Sequence, residues 1–223
     1  MRRSTAGLAA GVVLLALRAS RVAACEVALL LTIDVSGSID RGEYRLQAEG
    51  LAAALEDPEV AEALLAAQAA LGVVQWSGAG KQTFSIPWRR MLSPAEVAGF
   101  AARSRALDRA YTGSDTAVGE AIAFSASRFD AVADCRRKVI DISGDGPQNA
   151  GPPLDPARGA ATAAGIEINA VAIEDAGRAA PITEFYRRSV ITRNGFVLTA
   201  RGLEDYPRAI REKILREVAR PLG

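Results

Sequence analysis

The feature that most constrains the fold of this chain is an apolar run that ends abruptly in polar residues. Residues 27–33 are apolar apart from Thr32, and Asp34-Val35-Ser36-Gly37-Ser38 follows directly. A short run that is apolar on both faces is typical of a central strand in a parallel sheet. In open α/β sheets, ligands bind where such strands end. We therefore expect an α/β fold with a ligand site in the loop after this strand.

The residues of this loop allow two interpretations. Asp34, Ser36 and Ser38 alternate along an extended turn, so their oxygens can converge on a hard cation such as Mg²⁺, which prefers oxygen ligands. Asp40 and Glu43 match a capping box and predict a helix just behind the loop. The same three side chains could instead only cap that helix.

Composition narrows the classes of function. The chain has 223 residues, 49% of them hydrophobic and 24% charged, which fits one globular domain behind a removable leader. Histidine is absent, which excludes Ser-His and Cys-His nucleophile pairs and the usual zinc ligand sets. Without the four arginines of the first 24 residues, 23 basic side chains face 26 acidic ones, a net charge of −3. We therefore expect neither nucleic acid nor an anionic membrane surface as a partner.

The beginning of the chain predicts a secretory signal peptide at residues 1–24, followed by one domain at residues 25–223. Arg2-Arg3 precedes the apolar residues 6–17, and small residues stand before Cys25. The apolar stretch is too short for a comfortable membrane span, so no integral span is expected after cleavage. The protein is therefore expected in the periplasm or outside the cell. A lipid anchor on Cys25 is the less favoured alternative, because two arginines lie between the apolar stretch and the cysteine.

The two cysteines have parallel positions along the chain. Cys25 lies nine residues before Asp34, and Cys135 lies ten residues before Asp145, with an apolar strand candidate inside each interval. If the two strands are parallel neighbours, their starts lie close enough for the Cα separation of a disulfide, roughly 5.5 Å. Export permits that bond. We therefore predict a Cys25–Cys135 disulfide at the sheet edge opposite the site, which a lipidated Cys25 would exclude.

Periodicity predicts the remaining elements. Strands are expected at residues 27–33, 70–76, 82–88, 138–142, 166–173 and 195–199, and helices at 40–57, 59–68, from 93 onwards, 117–129, 157–164, 181–189 and 203–219. In the last helix, Tyr206 and Ile210 are expected to face the sheet, whereas Glu217 is expected to face solvent.

Together these residues resemble the metal-ion-dependent adhesion site of von Willebrand factor A domains. Asp34-x-Ser36-x-Ser38 follows the first strand, Thr116 lies in a loop before a helix, and Asp145 lies in a Gly-Asp-Gly sequence after the fourth strand. The resemblance covers nearly all of residues 25–223. The runs at 34–38, 75–78 and 139–147 also resemble a bacterial exported group of such domains, which is known as a domain of unknown function.

The resemblance implies a fold and a set of ligands. The implied fold is α/β and doubly wound: a mostly parallel six-stranded sheet of order 3-2-1-4-5-6, with strand 3 antiparallel and helices on both faces. Ser36 and Ser38 would bind a divalent cation directly. Thr116, Asp34 and Asp145 would bind it directly or through water. Mg²⁺ is the expected cation, with Mn²⁺ or Ca²⁺ as alternatives.

The resemblance also implies an exported, metal-dependent protein-binding module for adhesion or scaffolding, rather than an enzyme. The cation would bind an Asp or Glu carboxylate of a protein partner at an open position. The alternatives are a Mg²⁺-dependent phosphatase-like hydrolase and a metal-independent scaffold. One departure is Ser114-Asp115-Thr116, where many relatives have Gly-Gly-Thr. We expect Asp115 to cap the following helix rather than add charge at the cation.

Overall fold

The computed structural model describes residues 25–113, 115–174 and 181–219. The predicted signal peptide, residues 1–24, lies outside the described residues. Within the described part, six strands form a sheet of order β3-β2-β1-β4-β5-β6. Neighbouring strands are parallel, except that β3 is antiparallel to β2. The expected sheet order and the antiparallel third strand are therefore confirmed.

The elements follow one another in the alternating order of a doubly wound α/β fold. The strands are β1 (Val27–Asp34), β2 (Ala70–Trp76), β3 (Gln82–Arg90), β4 (Arg137–Gly144), β5 (Ile166–Glu174) and β6 (Val197–Arg201). The α-helices are α1 (Arg41–Glu56), α2 (Pro58–Ala66), α3 (Pro94–Arg105), α4 (Val118–Ala126), α5 (Leu154–Ala163), α6 (Ile182–Phe185) and α7 (Tyr206–Val218). Short 3-10 segments are Phe129–Val132 and Leu203–Asp205, and a π-helical segment is Tyr186–Val190. None of the helices in the described segments is both long and apolar enough to cross a bilayer.

Helices cover both faces of the sheet and create two apolar cores. Alternate residues of β1 belong to opposite cores, Leu29 and Leu31 to one and Ala28 and Leu30 to the other. The first core is shared with α1, α2, α3 and α7, and the second with α4, α5 and α6. β1 is buried over its whole length, as expected for a central parallel strand. Its carboxyl end therefore opens into a loop that is supported from both faces.

Cys25 and Cys135 form the predicted disulfide, with a Cα–Cα distance of 4.5 Å. β1 and β4 pair in parallel, beginning with Val27 opposite Arg137. The pairing extends back towards the cysteines, because the Arg136 amide donates to the Cys25 carbonyl at 2.9 Å. The bond therefore links the two central strands where they begin, at the edge of the sheet opposite the carboxyl ends of β1 and β4.

Several helices begin or end at residues other than those predicted. The one expected at 181–189 is α-helical only over Ile182–Phe185, and the one expected at 203–219 begins at Tyr206, after a 3-10 turn. The helix expected at 157–164 already begins at Leu154, because Pro156 lies in the first turn, where a missing N–H costs no intrahelical hydrogen bond. The helix expected at 117–129 is shorter, and a separate 3-10 turn follows it. The prediction that Asp115 caps this helix was wrong. Ala117 is the N-cap residue, and the Gly119 amide in the first turn donates instead to Gln148 Oε1 at 2.8 Å.

Glu217 also contradicts the prediction, because it is fully buried rather than exposed. Its Oε1 atom accepts hydrogen bonds from Lys213 Nζ at 2.6 Å and from Asn169 Nδ2 at 3.0 Å. Lys213 Nζ also lies 2.6 Å from Asp141 Oδ1 of β4, and both side chains are buried. Burial, followed by the charge of Asp141, raises the pKa of Glu217 above its usual range. Periodicity failed here because a charged residue can be buried when Lys213 of the same helix pairs with it and Asn169 of β5 donates a hydrogen bond to it.

Candidate metal centre

The carboxyl ends of β1 and β4 bring the two predicted aspartates to the same edge. The two strands pair in parallel up to Ile33 opposite Ser143. Asp34 therefore lies level with Gly144, and Asp145 follows at once. Asp34 is fully buried, and Asp145 is only 5% exposed. Adjacent parallel strands thus place two carboxyl groups at one end of the sheet.

A chain of short oxygen–oxygen distances connects four of the five predicted ligands. Thr116 Oγ1 lies 3.5 Å from Ser36 Oγ, which lies 3.3 Å from Ser38 Oγ. Ser38 Oγ donates to Asp145 Oδ1 at 2.7 Å. The fifth residue, Asp34, accepts the Ser36 amide through Oδ1 at 2.8 Å, which holds the loop in a tight turn. The structure therefore brings all five side chains into one cluster.

A second loop positions the Thr116 hydroxyl. The Thr116 amide donates to Asn149 Oδ1 at 2.8 Å. Its carbonyl accepts the amides of Asn149 and Ala150 at 3.0 and 3.2 Å. The next amide, of Ala117, donates to the Ser77 carbonyl after β2. Thr116 is thus held on both sides before α4 begins, although its own segment has no regular structure.

The other carboxylate oxygen of Asp34 is the unusual atom of the cluster. Asp34 Oδ2 is buried and has no hydrogen-bond partner among the described residues. Burial is the main cause that raises the pKa of the Asp34 carboxyl to about 7, and the charge of Asp145 adds to it. Hydrogen bonds from Ser36 and the charge of Arg109 act in the opposite direction. A buried carboxylate without a partner costs free energy unless a positive charge compensates it.

These observations indicate that the residues present fit a divalent cation. The cluster offers two carboxylates and three hydroxyl oxygens, the donor types that hard cations prefer. Among the described residues no group of three or more His, Cys, Asp or Glu could hold a metal. Any cation at this end of the sheet would therefore depend on the serine and threonine hydroxyls as well as on the two carboxylates.

Arg109, which the sequence did not single out, fixes the backbone of the loop after β1. It lies in the segment between α3 and α4. Its Nη2 atom donates to the Ser36 carbonyl at 2.7 Å and to the Val35 carbonyl at 3.0 Å. The guanidinium group thus holds the carbonyls of this loop. No local pattern in the sequence could have revealed a contact over more than 70 residues.

Tyr186 is a second residue that sequence reasoning missed. It is fully buried in the π-helical segment, and its hydroxyl has no hydrogen-bond partner among the described residues. A Cβ atom on Gly144 would overlap this hydroxyl and would lie 2.9 Å from Asp34 Oδ2. The absence of a side chain at Gly144 therefore allows Tyr186 and Asp34 to approach each other. The glycine before Asp145 was the only hint of this contact in the sequence.

Solved structures of similar fold exist at low sequence identity. The chain is similar to proximal thread matrix protein 1 from the mussel byssus, with a TM-score of 0.67 and 16% identity over 88% of this chain and 49% of that chain. It is similar to a von Willebrand factor type A from Catenulispora acidiphila, with a TM-score of 0.63 and 19% identity over 89% of this chain and 44% of that chain. It is also similar to the conserved hypothetical protein BatB from Bacteroides thetaiotaomicron, with a TM-score of 0.62 and 16% identity over 86% of this chain and 98% of that chain.

These similarities show the fold, which is that of a von Willebrand factor A domain. The chain spans about half the length of the mussel protein. Another structure of that mussel protein is described as having a zinc-occupied metal-ion-dependent adhesion site motif. A comparison with curated protein sequences finds no significant match. The family model described as "Protein of unknown function (DUF1194)" matches residues 24–222. Because this match covers almost the entire length of the domain, the chain belongs to the DUF1194 family and has a von Willebrand factor A-like fold.

Proposed function

We propose that this protein is an exported, metal-dependent binding module that engages a carboxylate of a protein partner through a divalent cation. The residues that would hold the cation are Asp34, Ser36, Ser38, Thr116 and Asp145. The observation that carries the proposal is the buried Asp34 Oδ2 atom, which lies among these side chains without a hydrogen-bond partner in the described part of the chain. When bound, a divalent cation supplies an electrophilic centre that accepts an oxygen ligand from another molecule.

The chain's own residues would position this centre and leave it accessible. Asn149 holds the Thr116 backbone, and Arg109 holds the backbone of the loop after β1. Ser38 lies at the surface end of the cluster, where the residue is exposed, whereas Asp34 lies at its buried end. A partner carboxylate would therefore approach from the side of Ser38. The zinc-occupied adhesion motif described for the mussel protein supports a divalent cation in this fold. The identity of the cation, with Mg²⁺ as the first expectation, belongs to the proposal.

Two observations support export as part of the same proposal. The sequence predicts a signal peptide at residues 1–24. The disulfide between Cys25 and Cys135 forms most readily in an oxidising compartment. The first residue of the predicted mature chain is then a bridged cysteine, which has no free thiol for a lipid anchor.

Melting of residues 25–223 with the disulfide intact would test the cation site. In excess Mg²⁺ or Mn²⁺, at about a hundred times the Kd, the domain should gain roughly 2.7 kcal/mol over the chelated sample, or about 5–11 °C in Tm. Asp34→Asn should lose this shift. In chelator the variant should melt at the same temperature as the wild type or higher, because it no longer buries a negative charge. Asp130→Asn, an exposed aspartate outside the cluster, serves as the matched control and should keep the shift.

A second measurement would test the carboxylate. Surfaces bearing a short peptide with one Asp should bind the wild-type domain in Mg²⁺. Binding should be lost when a chelator removes the Mg²⁺, and also when the Asp of the peptide is replaced by Asn. Binding that survives chelation would favour the scaffold alternative. Release of phosphate from a generic phosphate ester in Mg²⁺, lost in Asp34→Asn, would favour the hydrolase alternative and contradict a function in binding alone.

A further inference from the structure

A cavity of about 340 Å³ opens beside the loop that follows β1. Its walls come from two segments, the first turns of α1 and the segment after α3. It is lined by Arg41, Tyr44, Arg45, Leu107, Asp108, Arg109 and Thr112, and we name it the arginine pocket. Three of these side chains are cationic, and only Asp108 opposes them. The pocket therefore has an excess of positive charge in a domain whose predicted mature form is net negative.

The arginine pocket adjoins the candidate metal centre through Arg109. Arg109 lines the pocket, and its guanidinium group donates to the carbonyls of Val35 and Ser36. The other side of the pocket begins at Arg41, only three residues after Ser38. Three residues span at most about 11 Å of chain. A single ligand segment of a few residues can therefore reach both the candidate cation and the pocket.

The two arginines of α1 that line the pocket are in electrostatically unfavourable positions. Arg41 is the first residue of α1, and a positive charge at a helix N-terminus is unfavourable to the helix dipole. Arg45 is placed four residues later, so two like charges are neighbours on one face. Arg45 pairs with Glu49 at 3.3 Å, but Arg41 makes no hydrogen bond or ion pair with any residue that the structure describes. Local rules that are broken without compensation are expected at functional sites.

We propose that the arginine pocket receives a second acidic side chain from the same partner segment whose first carboxylate binds the cation. The partner's recognition element is then an extended acidic segment of a protein. Its two carboxylates lie two or four residues apart, because alternate side chains of an extended strand share a face, at about 6.6 Å for two residues. This inference rests on the proposed function and adds the chemistry of the partner to it.

Immobilised peptides of equal length would test the inference. One carries a single Asp, and the others add a second acidic residue two, three or four positions further on. In Mg²⁺ and moderate salt, at least one two-acid peptide should bind the wild-type domain about two- to fivefold more tightly than the single-acid peptide, the range expected for an exposed ion pair. The gain should shrink at high salt because exposed charges are screened.

The Arg41→Gln/Arg45→Gln variant isolates the pocket from the metal centre. It should lose the gain from the second acid while still binding the single-acid peptide in a Mg²⁺-dependent manner. Arg103→Gln, an exposed arginine of α3 outside the pocket, should keep the gain. In chelator the double variant should melt close to the wild type, because the loss of an unfavourable charge at the start of α1 offsets the loss of the exposed Arg45–Glu49 pair. Arg109 is left intact because it holds the loop of the metal centre.

The outcomes separate this inference from the function on which it rests. Equal affinity of the wild-type domain for all peptides would overturn the role of the arginine pocket. An equal gain from the second acid in the double variant would do the same. In either case, Mg²⁺-dependent binding of the single-acid peptide would still support the proposed function. Mg²⁺-independent binding of two-acid peptides would overturn the shared segment, because the pocket would then act alone. Failure of every peptide to bind would overturn both, even if Mg²⁺ raised the melting temperature.

Discussion

Replacing Lys213 by Met should strongly destabilise the domain. Lys213 Nζ lies 2.6 Å from both Asp141 Oδ1 and Glu217 Oε1, and all three side chains are buried. Methionine is of similar length but carries no charge, so the variant leaves two carboxyl groups facing each other without a cation. Removing one partner of a buried ion pair costs about 3–5 kcal/mol. For a domain of this size, that corresponds to a fall in Tm of about 6–20 °C.

The assay is urea or thermal unfolding at neutral pH in chelator, with the disulfide intact. Lys138→Met, which removes a half-buried lysine of β4, is the control and should stay within about 1 kcal/mol of the wild type. Adding Glu217→Gln to Lys213→Met should recover part of the loss, because only one carboxyl group then remains without its cation. A loss below about 1 kcal/mol in Lys213→Met would refute the reasoning. It would mean that the two carboxyl groups lose their charge or gain water at little cost.

Three further predictions concern the site and the disulfide. Burial raises the pKa of Asp34 from 3.8 to about 7 in the folded, chelated domain. As the pH rises from about 3.8 to about 7, the stability of the wild type relative to Asp34→Asn should therefore fall, by at most about 4 kcal/mol. A difference in unfolding free energy that does not change with pH would contradict this. Gly144→Ala should cost about 1–3 kcal/mol through overlap with the Tyr186 hydroxyl, and adding Tyr186→Phe should recover part of it, whereas additive losses in a double-mutant cycle would show that the overlap is not the cause. Replacing Cys25 and Cys135 by Ser opens a loop of 110 residues and should cost about 4–5 kcal/mol in the chain-entropy model; an unchanged urea midpoint would argue against that constraint.

The segments that carry the candidate site were predictable because their signals are local. A run of apolar residues is enough to identify β1, and Asp40 with Glu43 forms the expected capping box at the start of α1. The convergence of Asp34 and Asp145 follows from one further step, since parallel neighbours end at the same edge of the sheet. The same step placed Cys25 and Cys135 side by side at the opposite edge.

The two side-chain predictions that failed were made from the local sequence alone. Asp115 was expected to cap α4 because it precedes the helix, but Gln148 from another loop satisfies an amide of the first turn. Glu217 was expected to face solvent because it is charged, but Lys213 compensates its charge inside the domain and Asn169 of β5 donates a hydrogen bond to it. In both cases a local preference was outweighed by a hydrogen bond or a charge that tertiary packing supplies.

The sequence by itself determined the fold class, the position of the loop after β1 and the candidate ligands, because strand hydrophobicity and helix capping are properties of neighbouring residues. Only the tertiary structure decided what surrounds those ligands. It placed the Arg109 guanidinium on the loop carbonyls and the Tyr186 hydroxyl beside Gly144, and it left Asp34 Oδ2 buried without a partner in the described part of the chain. Such contacts depend on how helices pack across a twisted sheet, and the positions of the residues along the chain do not reveal that packing.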